Sequence, residues 1–269
     1  MQKSTILQKY SNPEDKFLIS KVLDKLKFSE TRNQITNTNF MDVRQKNLII
    51  NLLQSLKYSN YFCYGGFDNA ERTIFIFYPE KLSENIVMEN IDNIIKCINI
   101  KLPKELLNTY THRNYLGGIM KLGIEREKIG DILVSENGAN IITCTDIAKS
   151  LTDLLANLKR FSKSIIDVIS TKSITSSEIK KEEITIIVPS LRLDSIVADL
   201  AHTSRNKALE IISSERVLVN FETVIKNSKL LNYGDIVTIR GKGRFEIVAL
   251  KSTSKNGNLI VLVNKFLWK

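Results

Sequence analysis

The sequence predicts a multidomain protein of mixed α+β and α/β class. Three observations carry this: an apolar share large enough for several cores, interleaved helical and strand periods, and a polar break late in the chain. With 269 residues and 43% apolar residues, two or three domains of ordinary size can each bury a core. Charged residues make up 25%, which is the composition of a globular chain, not a disordered one.

The elements follow in order. Asn12-Pro13 before acidic residues reads as an N-cap and first helical position. Phe17, Val22, Leu23 and Leu26 form the stripe of that helix. "QKNLIINLLQSL" (45–56) is a second helix. "YFCYGGFDNAERTIFIFYP" (61–79) holds two apolar runs around a Gly-Gly turn and predicts a hairpin-like pair, with Pro79 closing the region. "ENIDNIIKCINI" (89–100) fits a helix or a strand. "TYTHRNYLGGIMKLGI" (109–124) reads as a helix stopped by Gly123. "IGDILV" (129–134) and "ANIITC" (139–144) are strands joined by "SENG". Thr145 or Asp146 then caps a helix to about Lys163. "STKSITSSEIKKEE" (170–183) is the polar break. The expected domains are therefore 1–82 (N-terminal α/β), 83–170 (middle), a linker at 171–185, and 186–269.

Charge points to a partner. The net charge is +10, which favours a polyanion, either nucleic acid or an acidic membrane surface. Residues 187–269 hold 13 Lys+Arg against 7 Asp+Glu, a net of +6. A nucleic-acid site is therefore best sought there. No basic amphipathic helix with a clear apolar face argues for a membrane. Cys63, Cys97 and Cys144 are isolated, form no CxxC, and fit a reducing compartment without disulfides or zinc. The start lacks the apolar core of a signal peptide, and no run approaches the length of a membrane span. A cytoplasmic location is expected.

In the last third, Leu193, Ile196, Val197 and Leu200 recur at helical spacing. Ser204 is a candidate N-cap for a second helix with Ala208, Ile211 and Ile212 inward. Val217, Val219 and Phe221 alternate as a strand, and "YGDIVTI" (233–239) is a turn and another strand. "RGKGRFEI" (240–247) reads as a hairpin turn, with Gly241 and Gly243 permitting a tight connection. It leads into no helix, so it is not a phosphate loop, and its flanks are too apolar for a disordered arginine–glycine tract.

Arg192-Leu193-Asp194, Ser204-Arg205 with Ala208, "RVLVN" and "GDIVTI" together resemble the S4 RNA-binding domain (the αL fold). One departure is Glu215, where many S4 domains place Gly. "FMDVRQ" (40–45), "GGFDNAER" (65–72), "LGGIMKLGIEREKIGDILV" (116–134) and the "RGKGRFEI" hairpin resemble the YlmH family of bacterial S4 proteins. There the departure is Val43, where relatives often have Pro. The resemblance implies an RRM-like middle domain and a monomeric, non-catalytic RNA-binding factor without cofactor or metal. It implies partners in the large ribosomal subunit, ribosomal RNA and tRNA, and a role in rescuing stalled translation. It also implies an RNA-binding set of Arg192, Ser204, Arg205, Asn206, Lys207, Arg216, Arg240, Lys242 and Arg244. A helix N-terminus flanked by Arg205 and Lys207 suits phosphate. For Arg192, an ion pair with Asp194 or Asp199 competes with RNA contact.

Asp194 stands in the Arg-Leu-Asp context of a pseudouridine synthase nucleophile, but no His precedes it and an apolar helix follows, so it reads as a helix-start residue. His112 and His202, the only histidines, have no metal or triad spacing. Asp131 and Glu71-Arg72 read as capping or ion-pairing groups in preference to acid–base groups. "LGGIMKLG" follows no strand, so it is no phosphate loop. The middle region has no aromatic pair suited to base stacking. The competing function is an RNA-modifying enzyme using the S4 domain as a handle, and a cleft of converging polar groups would favour it.

Overall fold

Helix α1 (Lys3–Leu7) precedes the long helix α2 (Pro13–Arg32) in a computed structural model that describes residues 3–174 and 181–267. The Asn12 side chain accepts from the Glu14 N–H at 2.8 Å, while Pro13 occupies a position that needs no donor. Val22, Leu23 and Leu26 are buried, but Phe17 is 63% exposed. Ile19 starts the inward stripe instead, and two residues of helix turn Phe17 to the other face, beside Lys21. Strand β1 (Thr36–Asn37) and helix α3 (Val43–Ser55) follow. Helix α3 starts two residues earlier than expected because Asp42 and Gln45 form a reciprocal capping box. Strands β2 (Tyr61–Tyr64) and β3 (Ile74–Phe77) pair antiparallel, as expected, and β1 flanks β3.

Helix α4 (Glu84–Glu89) leads to strand β4 (Ile95–Lys101), so the ambiguous run resolves into a helix end, a 3-10 turn and a strand. Helix α5 (His112–Lys121), strands β5 (Ile129–Ser135) and β6 (Gly138–Cys144), helix α6 (Thr145–Ala156) and strand β7 (Ile165–Ile169) complete this part. Helix α6 stops at Ala156, not near Lys163. Phe161 lies off the helical stripe of Ala148, Leu151 and Leu155, and the chain turns after the helix to bury it. From β4 to β7 the connection is β-α-β-β-α-β, with sheet order β5-β6-β4-β7.

These two sheets share an interior. Phe75 and Phe77 of β3 face α2 and α3. Ile74 and Ile76, pointing the other way, pack with Cys97 of β4 and with Ile142 and Cys144 of β6. Ile98, Ile100 and Ile141 face α5 and α6 on the far side. The layers run helix, sheet, sheet, helix. A strand covered on both faces is apolar at successive positions, which is why "IFIF" does not alternate. The expected N-terminal and middle regions consequently form one compact unit, Met1–Ser177.

The second unit, Glu178–Trp268, contains strand β8 (Lys181–Val188), helices α7 (Leu193–Leu200) and α8 (Arg205–Ser213), and strands β9 (Val217–Val219), β10 (Glu222–Thr223), β11 (Ile236–Ile239), β12 (Gly243–Thr253) and β13 (Leu259–Phe266). Among the described residues its sheet has the order β10-β9-β11-β12-β13-β8 and is antiparallel throughout. Leu193, Ile196, Val197, Leu200, Ala208 and Ile212 pack the helices onto Val217, Val237, Phe245 and Val261. The expected linker is corrected: Thr171–Ser173 form a 3-10 turn, and Lys181–Val188 is an edge strand along β13. Residues 175–180 of that stretch lie outside the described residues. The charges of Lys181, Glu182 and Glu183 suit an edge strand. Phe221 is not part of the expected strand, since β9 ends at Val219 and Phe221 takes φ 70 in the turn.

Candidate nucleic-acid interface

The starts of α7 and α8 meet at one carboxylate. Arg192 is the N-cap residue of α7, and Asp194, two residues on, is buried. Asp194 accepts from Arg192 Nε at 3.1 Å and Nη2 at 2.9 Å. It also accepts from Arg205 Nε at 3.2 Å and Nη2 at 2.8 Å, and from the Ser195 N–H at 2.9 Å. One carboxylate thus fixes two guanidiniums in paired-donor geometry. The Arg192 hydrogen bonds, with Arg205 adding and burial opposing, hold its carboxyl down to about 2. The Asp194 side chain is 3% exposed, against 37% for Arg192 and 55% for Arg205. The arrangement buries the anion and presents both cations, a local excess of one positive charge.

The two helix starts differ in their main chain. On α7, the Leu193 and Asp194 N–H groups donate to the Lys229 and Asn227 carbonyls at 2.8 and 3.1 Å. Its N-terminus is closed. On α8, Ser204 caps by accepting from the Lys207 N–H at 3.3 Å. The Arg205 and Asn206 N–H groups have no protein acceptor among the described residues. Ser204, Arg205, Asn206 and Lys207 are all exposed, so the positive end of α8 faces outward. Lys207 pairs with Glu210 at 2.6 Å on the surface.

The remaining basic residues gather at the other end of α8. That helix spans nine residues, about 13 Å of rise, so the two groups do not coalesce. The Arg240 N–H donates to the Arg216 carbonyl at 2.9 Å, and Arg216 Nη2 donates to the Arg240 carbonyl at 2.9 Å. Arg240, Gly241 and Lys242 form the turn between β11 and β12, whose last pair is Ile239 with Gly243. Gly241 has φ 82, and a Cβ there would sit 3.3 Å from Arg216 Nη2. Arg240 and Lys242 are exposed. Arg244 lies on the strand, its guanidinium 5.0 Å from the Phe221 ring centre and its Nε donating to Thr238 Oγ1 at 3.3 Å.

Two features of the structure escaped residue-by-residue reading. One is Asp194 as the common acceptor, signalled only by its spacing from Arg192. The other lies in the first unit. Asp131 accepts from the Glu71 N–H at 2.7 Å and the Arg72 N–H at 3.3 Å, which is the expected capping role. Arg72 Nε donates to the Ile129 carbonyl at 2.9 Å and its Nη2 to the Phe40 carbonyl at 3.1 Å. The "NAER" and "IGDI" strings bind each other across the two sheets. Gly130 between them admits no side chain, since a Cβ would fall 2.7 Å from the Phe40 ring. His112 is the first residue of α5, half-buried, and burial followed by the Arg126 charge lowers its pKa.

The segment 89–173 matches the family model described as "Putative RNA-binding domain in YlmH". Over nearly its whole length the chain is similar to "Ribosome-associated protein quality control protein P2" of Bacillus subtilis (strain 168), with 27% identity over 253 residues, covering 94% of this chain and 95% of that protein. Among solved structures it is similar to "Cell division protein ylmH from Streptococcus pneumoniae", at 21% identity and a TM-score of 0.48, covering 62% of this chain and 98% of that one. These similarities agree with the YlmH likeness that the motifs suggested.

Proposed function

We propose that this protein is a non-catalytic RNA-binding factor of the cytoplasm that engages the large ribosomal subunit, through ribosomal RNA or tRNA, during rescue or quality control of stalled translation. The observation that carries the reading is the Asp194 clamp, which presents Arg192 and Arg205 beside the open N-terminus of α8. That is an S4-like phosphate-binding edge. The family match and the printed name of the Bacillus relative support the ribosomal setting.

The order β5-β6-β4-β7 supports an RRM-like reading of the middle region. The sheet face that such a domain turns to RNA bears Cys97 and Ile142, both fully buried under Ile74 and Ile76. Base stacking on that face has no room, so RNA contact is assigned first to the second unit. Replacing Arg192 and Arg205 together by Ala is expected to abolish co-sedimentation with large subunits while the circular dichroism spectrum is kept. Unchanged co-sedimentation would overturn the site.

The competing enzyme reading draws on one observation, a cleft of about 1020 Å³ in the first unit lined by Arg72, Arg126 and Lys128. Its carboxylates are engaged: Asp24 pairs with Lys3, Asp42 caps α3, Glu127 accepts from Asn39, and Asp146 pairs with Lys128. Held in that way they suit cation presentation better than acid–base work. A ribosomal RNA modification lost in a deletion strain would favour the enzyme.

A further inference from the structure

The cleft in the first unit has an electrostatic peculiarity. Arg72 and Arg126 converge on a single carbonyl oxygen, that of Ile129, at 2.9 and 2.6 Å. Their donors therefore lie within about 5.5 Å of each other by the triangle of those bonds. Their other acceptors are also main-chain carbonyls: Phe40 and Arg126 for Arg72, Gly130 for Arg126. Neither guanidinium forms an ion pair among the described residues. Asp131, the nearby carboxylate, spends its oxygens on the Glu71 and Arg72 main-chain N–H groups. Burial, and then the neighbouring Arg72 charge, bring Arg126 down to about 10, so it stays cationic at neutral pH.

Asp42, Asp131 and Glu127 offset part of the Arg72 charge and Asp131 part of the Arg126 charge, but none of them ion-pairs with either guanidinium among the described residues, and an anion bridging two half-buried like charges lowers their cost. Nη1 of Arg72 and Nε and Nη2 of Arg126 have no protein acceptor among the described residues, and both side chains line the cleft. Lys25 lines it as well, as do Asn37 and Asn39, whose amides donate to the Thr38 carbonyl and to Glu127, and the carboxylates of Asp24, Asp42, Glu127 and Asp146. Planar guanidinium forks with N–H groups left over are donors suited to a tetrahedral oxyanion. The cleft volume is that of a site for a nucleotide or a short strand.

We infer that Arg72 and Arg126 form a phosphoryl-anion site in the first unit, taking either a free phosphate or nucleotide or a phosphodiester of an RNA strand. This site is separate from the Asp194 clamp and does not rest on the ribosomal reading.

The test uses the full chain and the reactivity of Arg126 toward phenylglyoxal, followed by peptide mass. The three probes are inorganic phosphate, AMP and a single-stranded RNA octamer, each against chloride at equal ionic strength. An occupied site slows modification about tenfold at ten times the dissociation constant. Slowing by phosphate and AMP identifies a free-ligand site, and slowing by the octamer alone identifies the RNA backbone. In Arg126→Gln, which keeps an amide donor for the Ile129 carbonyl, the phosphate-induced rise in melting temperature is lost. The wild-type footprint decides the matter if that variant does not fold. The protection must persist in the Arg192→Ala, Arg205→Ala protein. Modification unaffected by all three probes, or protection that vanishes in that double variant, would overturn the site.

Discussion

Asp194 shows how much one residue can set. Among the described residues it is the one acceptor shared by Arg192 and Arg205, and without its charge the two guanidiniums would stand side by side uncompensated. Asp194→Asn keeps the shape and the bond from Ser195 while removing the charge. Because both arginines are partly solvated, the expected cost is about 2 kcal/mol, below that of a fully buried pair. Urea unfolding checks it. The sign with pH follows from a carboxyl whose folded pKa is depressed to about 2 from its ordinary value of 3.8. Its stabilisation is fully present above about pH 4 and is lost as pH falls through about 2. The stability difference between wild type and Asp194→Asn should shrink over that window and be constant near neutrality. Arg-Leu-Asp was legible in the sequence as a helix start. That its carboxylate would reach Arg205, eleven residues on, was not, because the reach depends on how α8 folds back onto α7.

At the scale of the element, the end of α8 is the informative case. The Glu215 N–H donates to Ile212 and the Arg216 N–H to Ile211, at 3.0 and 3.3 Å, and Glu215 takes φ 58. This is a Schellman ending with a non-glycine residue in the left-handed position. The turn that a glycine would mark is present without it, at a cost in backbone strain. Glu215→Gly is therefore expected to raise the thermal midpoint, by up to about 1 kcal/mol in stability. Glu215→Val should lower it. A flat response to both would show that the turn carries no strain. The hairpin at Arg240–Lys242 was legible from its two glycines and apolar flanks, because turn chemistry is local. The end of α6 was not, since burial of Phe161 is a tertiary matter.

For the whole molecule, binding should be read through salt. If about four of the exposed basic residues of the second unit contact phosphates, log K against log salt should fall with a slope of about −3 to −4. Lys242→Ala with Arg244→Ala should weaken RNA binding and flatten the slope by about 1 to 2. A slope unchanged in that variant would remove the β11–β12 turn from the interface. The localisation of charge in the last third was visible in composition. The arginine pair of the first unit was not, because Arg72 and Arg126 stand 54 positions apart and meet only when two sheets stack.

By itself the sequence determined the mixed class, most helices and strands, the polar break, the basic C-terminal third and the YlmH likeness. Those depend on local periodicity, capping, turn residues and composition, which the chain carries in its own order. The tertiary structure decided that the described residues up to Ile174 form one compact unit, that one carboxylate holds two arginines, and that a second arginine pair lines a cleft. Each of these requires groups distant in sequence to come within hydrogen-bonding reach. Only the burial of both faces of β3 and β4 and the docking of α8 against α7 bring them there.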